Sequence, residues 1–139
     1  MNYTIEVRES YIYVNISGQV SLKSRLGWGE ISSALENVVD TAKKHSIFKL
    51  LVDCREVSGK FTTMDRFLVA VFFVKENSRL LAGRLRPVKI TFVADKSVID
   101  PKRFGETVAR NRGLHGFVTD NMQEALQWLE KDAPSKKKS

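Results

Sequence analysis

Three short runs, "IFKLLVD" (47–53), "PVKITFVAD" (87–95) and "LHGFVT" (114–119), are rich in the β-branched and large apolar side chains of inner strands, and long helix-sized segments separate them. That spacing constrains the fold more than any other feature. Antiparallel neighbours need only a tight turn, whereas strands held apart by a dozen or more residues pair in parallel while the intervening segment crosses one face of the sheet. The chain is therefore expected to build a mostly parallel sheet with crossover helices.

The elements in front fit that plan. In "YTIEVRESYIYVNISG" two alternating runs, 3–7 and 11–16, flank the polar break 8–10, which predicts an antiparallel hairpin ended by Gly18. From 24 to 45 the residues Leu26, Ile31, Leu35, Val38, Val39 and Ala42 recur at helical spacing, with Glu30, Glu36, Asp40, Lys43 and Lys44 on the other faces. Gly27 and Gly29 weaken the first turn, so the firm helix is expected from about Glu30. Pro87 opens its strand where a missing N–H is tolerated. "DPKRFGETVARNRG" has Asp100 as N-cap, Pro101 at the first helical position and Gly113 just past the end. "DNMQEALQWLEK" has Asp120 and Gln123 spaced as a capping box.

Between the first two inner strands lies "SGKFTTMDRFLVAVFFV" (58–74), a hydroxyl-rich turn running into an oily stretch. No glycine or proline interrupts 64–82, too long a span for one strand; Thr62 or Thr63 suits an N-cap, Asp65 suits the first turn and Gly83 the stop. A helix is expected, apolar all round for two turns, whereas a helix lying on a sheet needs one apolar stripe. Its second face needs cover from neighbouring helices, a second subunit or an apolar ligand. Phe67, Leu68, Val71, Phe72 and Val74 are the candidate residues of that dimer or pocket helix. The turn before it, at the C-terminal end of an inner strand, offers Asp53, Arg55, Ser58, Gly59 and Lys60 as a ligand or docking edge. Free N–H groups at the helix start favour an anion there, including a phosphate on Thr62 or Thr63. Set against this, each residue has a purely structural reading, with the threonines capping, Gly59 turning and Asp53 bonded locally.

The whole reads β-β-α-β-α-β-α-β-α: an α/β fold with a mixed, mostly parallel five-stranded sheet and four helices, in one domain spanning 1–132. The remainder, 133–139, is a basic tail expected to be disordered. A chain of 139 residues with 42% hydrophobic and 28% charged residues has a globular composition and enough length for one real core.

The element order, with "KLLVDCREVSGKFTTMDRF" and "KITFVADKSVIDPKRFGETVARNRG", resembles the SpoIIAA-like family of the STAS domain superfamily, over almost the whole domain. The resemblance implies a mixed sheet with helices packed on it. It also implies a regulatory protein-interaction role without catalysis or cofactor. The family's anti-sigma factor antagonists are phosphorylated on a hydroxyl at the start of the second helix, within Asp-Leu-Ser-x-Val-x-x-x-Asp-Ser-Ser-Gly. Here Asp53 matches the first acid, Val57 the valine, and Thr62 and Thr63 the serine pair, so these threonines are the implied phosphoacceptors. The chain departs from the pattern with Arg55, with Phe61 in place of the second acid and with Met64 in place of the glycine. Relatives of the wider fold resemble lipid-carrying domains in shape, which implies a lipid-like or anionic ligand beside the 64–81 helix as the alternative function.

Other function classes find little support. The formal charge of +7 falls to +4 over residues 1–132 once Lys136, Lys137 and Lys138 are set aside, short of a nucleic-acid footprint. Arg79, Arg84, Arg86, Lys89, Lys102, Arg103, Arg110 and Arg112 lack the interleaved aromatics of a stacking platform, so a solvated surface is the better reading. His45 and His115 have no metal-ligand spacing, and the single cysteine, Cys54, supplies no CxxC pair and reads as structural. No nucleophile, base and orienter come together, so no enzyme and no metal are expected. "MNYTIEVRES" has no basic region followed by an apolar stretch, and no segment approaches the roughly 18 apolar residues of a membrane span, so a cytoplasmic protein is expected. The partner is expected to be another protein or a second copy of the chain.

Overall fold

Alternation in the first hairpin assigns its residues to two faces, and the computed structural model, which describes residues 1–19, 25–58, 89–95 and 115–131, follows that assignment. Strands β1 (Asn2–Val7) and β2 (Ile12–Gln19) pair antiparallel from Asn2 opposite Ser17 to Val7 opposite Ile12. The parallel strands β3 (Lys49–Ser58), β4 (Lys89–Val93) and β5 (His115–Thr119) follow, in the sequential order β1-β2-β3-β4-β5. Two helices fall within the described residues, α1 (Arg25–His45) between β2 and β3, and α2 (Met122–Glu130) after β5. The mixed, mostly parallel five-stranded sheet is the one expected. The helices expected at 64–82 and 100–112, and the tail 133–139, lie outside the described residues.

Each helix serves one face. The α1 stripe of Leu35, Val38, Val39 and Ala42 packs on Ile12 and Val14 of β2, Leu50 and Val52 of β3, and Ile90 of β4. On the other face Ala125 and Leu129 of α2 meet Leu51 and Val93, with Tyr11 and Tyr13 alongside. Inner-strand residues of both parities are thus buried, which is why β3 and β4 read as nearly continuous apolar runs. No helix among the described residues is long and apolar enough to cross a membrane.

Several boundaries differ from the sequence reading, each for a local reason. Helix α1 begins at Arg25 despite its two glycines, because the apolar stripe further along carries it and Gly29 faces open space. Strand β2 does not stop at Gly18 but passes through it with φ +93°, a conformation that glycine adopts freely. Helix α1 ends without a glycine, at Ser46 in the left-handed region with φ 55°. Ile47 N donates to Ala42 O at 3.1 Å and Ser46 N to Lys43 O at 3.3 Å, the Schellman closure of the last turn.

The cap of α2 sits one residue later than the capping box read from Asp120. Asn121 is the N-cap, its side chain accepting from Glu124 N at 3.0 Å. Thr119 joins the two ends of this cap: its hydroxyl donates to the Glu124 carboxylate and accepts from Asn121 N at 3.1 Å. At the other end, buried Lys89 donates from Nζ to Trp128 O and Lys131 O, both at 2.7 Å, and lies 4.5 Å from the Trp128 ring centroid. Phe117 of β5 stacks on Trp128 at 5.3 Å. A cation on the last carbonyls suits the helix dipole, so α2 is fastened to the sheet at both ends.

Two substitutions are expected to stabilise the chain. Ser46→Gly relieves the left-handed strain, less the added entropy of the unfolded chain, for a gain of about 0.5–1 kcal/mol. Thr91 Oγ1 is buried with no hydrogen-bond partner among the described residues, and Thr91→Val, which keeps the shape and removes the orphan hydroxyl, is expected to gain about 1 kcal/mol. Urea unfolding with an unchanged slope and a raised midpoint checks both.

Candidate functional site

Strand β3 outruns its neighbour on one side. Its pairing with β4 ends at Asp53 opposite Val93, while its pairing with β2 continues to Ser58 opposite Gln19. The strand therefore does not end at Asp53, as its apolar run suggests, and the "DCREVS" stretch is an overhanging part of the ladder. Within it the register slips: Asn15 faces Asp53, but Ser17 faces Glu56, so Cys54 and Arg55 together oppose Ile16. This is a β-bulge, which leaves a backbone group outside the ladder and re-aims the side chains around it.

Asp53 occupies the position just before the bulge and is buried. The backbone N–H of Arg55 donates to Asp53 Oδ1 at 3.1 Å. Arg55 Nε donates to the same oxygen and its NH2 group to Oδ2, both at 2.9 Å, in the two-pronged geometry of a strong pair. Tyr13 completes the set, its hydroxyl donating to Oδ2 at 2.6 Å from the neighbouring strand. Behind it the Arg8 guanidinium lies 4.9 Å from the Tyr13 ring centroid and pairs with Glu6 at 2.5 Å. A buried carboxylate thus receives four donors, and its charge is answered by an arginine whose side chain is 46% exposed.

The ionisation states follow from these contacts. Burial alone would raise the Asp53 carboxyl, but the Arg55 side-chain bonds, the Tyr13 hydroxyl, the Arg55 N–H and the Arg55 charge outweigh it and hold the group below its ordinary value. Tyr13 moves the other way, raised by burial and by donating to Asp53. The Asp53 bond also raises Arg55. Burial, then the Asp53 charge, pushes the Cys54 thiol up to about 12, and Cys54 packs against the α1-side core. A carboxylate with every acceptor engaged is a poor base, and a thiol so high is a poor nucleophile. Among the described residues no group of three or more His, Cys, Asp or Glu is placed to hold a metal ion.

Of the candidate docking edge, the structure brings Asp53 and Arg55 into one network and leaves Ser58 exposed as the last residue of β3. Gly59, Lys60, Thr62 and Thr63, and Phe67, Leu68, Val71, Phe72 and Val74, lie outside the described residues. The order of the described strands is sequential, without the reversal that opens a ligand crevice in open α/β sheets. What sets this edge apart is the overhang. Sequence reasoning missed Tyr13; the available signal was the parity that puts Tyr11 and Tyr13 opposite to Ile12 and Val14, on the face of Asp53.

No family model and no curated protein matches the chain. Among solved structures it is similar to the crystal structure of an anti-sigma factor antagonist from Mycobacterium paratuberculosis, with a TM-score of 0.54 and 13% identity over 94% of each chain. The fold is thus STAS-like, as the sequence resemblance implied.

The Asp53 network is expected to shape the pH profile of stability. Its folded pKa is lowered, so its contribution is whole above the unfolded value near 4 and is lost as pH falls through the folded value. Tyr13 is raised, so its contribution is whole below about 10 and is lost as pH rises through its folded value. Asp53→Asn is expected to cost about 1–3 kcal/mol at neutral pH, and to flatten the acid limb in urea titrations from pH 7 to pH 3.

Proposed function

We propose that the chain is a non-enzymatic regulatory module that docks a partner protein on the overhanging ends of β2 and β3. The observation that carries this reading is the likeness, across 94% of both chains, to a protein described as an anti-sigma factor antagonist, a role exercised on another protein. The Asp53 network supports it, because a neutralised buried carboxylate at the base of the overhang stiffens the edge while exposing the Arg55 guanidinium. A rigid edge loses little entropy on docking.

In this reading Thr62 or Thr63 carries a regulatory phosphate, on the strength of the sequence pattern from Asp53 to Met64. The apolar run 67–74 supports self-association through the 64–81 helix, again from sequence pattern.

The docking edge is tested by photo-crosslinking in cells from a residue placed at Ser58, with Asp40 on the exposed side of α1 as control. A discrete protein adduct from position 58 alone, weakened by Arg55→Ala, is expected; equal adducts from both positions overturn the assignment. The switch is tested separately with Thr62→Ala/Thr63→Ala. Loss of a phosphate signal in mass spectra of protein from cells, with altered affinity for the crosslinked partner, is expected. A wild-type chain that never carries phosphate there ends the switch.

A further inference from the structure

The sheet has two edges, and they are not equally defended. Strand β5 is five residues long, contains Gly116, and stacks Phe117 on Trp128 of α2. Strand β1 is six residues long and pairs with β2 on one side without a break in register; no described strand pairs with its other side. Natural edge strands discourage pairing with charges, above all lysine, and with proline, bulges or very short length. β1 has no lysine, proline or bulge, and its one charge is Glu6. It reads Asn-Tyr-Thr-Ile-Glu-Val, high in β-propensity, and it ends in Val7, which is 43% exposed, the exposed large hydrophobic of the described residues.

We infer that β1 pairs with β1 of a second copy of this chain, antiparallel and about a two-fold axis through Ile5, so that one sheet runs through both copies. The strand's own pattern argues for this occupant and this register. A two-fold perpendicular to the sheet keeps each face with itself, so only residues of like parity can oppose one another. Centred on Ile5, Tyr3 of each copy lies opposite Val7 of the other, and Ile5 opposes Ile5. The row on the α1 face, where Ile5 already packs against the core, then continues across the junction and covers the exposed Val7. On the opposite face Thr4 meets Glu6, and Asn2 meets Arg8. No like charges oppose. Shifting the axis to Glu6 sets Glu6 against Glu6, and shifting it to Thr4 leaves Val7 beyond the paired strand. Pairing along one strand buries little area, so the dimer belongs to the weak, concentration-dependent class.

This surface is separate from the β2–β3 overhang, so its test does not bear on the docking reading. Sedimentation of the full chain is followed from micromolar to near-millimolar concentration, alongside hydrogen exchange of the β1 amides. Wild type is expected to dimerise weakly, with β1 exchange slowing as concentration rises. Thr4 and Glu6 are exposed, and the Arg8 pair that Glu6→Lys removes is a surface pair of little worth, so the monomer fold is expected to stay intact, which circular dichroism checks. Thr4→Glu places two like-charge pairs in the junction and is expected to weaken the dimer roughly two- to thirtyfold, and adding Glu6→Lys to restore it. A chain that stays monomeric throughout overturns the inference. So does a dimer indifferent to both changes, whether it forms through the 64–81 helix or elsewhere, and so does β1 protection seen only with a peptide of another protein.

Discussion

Parallel pairing between β2 and β3 is the constraint from which the rest of the architecture follows. Two parallel strands cannot be joined by a turn, so the chain between them must leave the sheet, cross one face and return. Helix α1 is that return path, and the apolar stripe needed to hold it there becomes the larger half of the core. Strands β3, β4 and β5 add to the sheet in sequence order, each parallel to the one before. Because the inner strands are covered from both sides, polar groups among them survive only where local bonds satisfy them. Asp53 and Lys89 show two ways of meeting that condition.

Both charges are resolved by backbone as well as by side chain, and the geometry differs with position. Lys89 stands at the start of β4 and reaches the carbonyl end of α2, where its ammonium donates to two backbone carbonyls without a carboxylate. Asp53 stands where the ladder is interrupted, and the interruption frees the Arg55 N–H that the carboxylate accepts. The bulge and the acid therefore depend on each other. An uninterrupted strand would spend that N–H on the ladder, and an apolar side chain would leave it orphaned. The guanidinium at the end of this chain of contacts is left half exposed.

Most of the architecture of the described residues was legible in the sequence because it rests on periodicity. The alternation of the hairpin, the stripe of α1 and the apolar runs of β3 and β4 each state an element and how it is buried, though not where it ends. What was illegible rests on geometry that no period encodes. Ser46 ends α1 in a conformation glycine usually supplies, so its residue type gave no sign. The cap of α2 shifted from Asp120 to Asn121 because Thr119 lies in the strand before it and ties the two halves of the cap together. At the site, Asp53 and Arg55 were visible as charges next to each other, but a run of polar residues after an apolar one looks like the end of a strand. Only the partner strand shows that β3 continues, and only the register shows that it carries one residue too many.

That surplus residue has a bearing on how the chain can change length. Beyond the bulge, Glu56, Val57 and Ser58 already pair in step with Ser17, Gly18 and Gln19. A deletion at Cys54 or Arg55 would close the ladder without rotating anything that follows, whereas a deletion elsewhere in β3 would turn every later side chain to the opposite face. Related chains that lack this residue can thus keep the same overhang while losing the guanidinium, so the presence of Arg55 is separable, one codon at a time, from the frame that displays it.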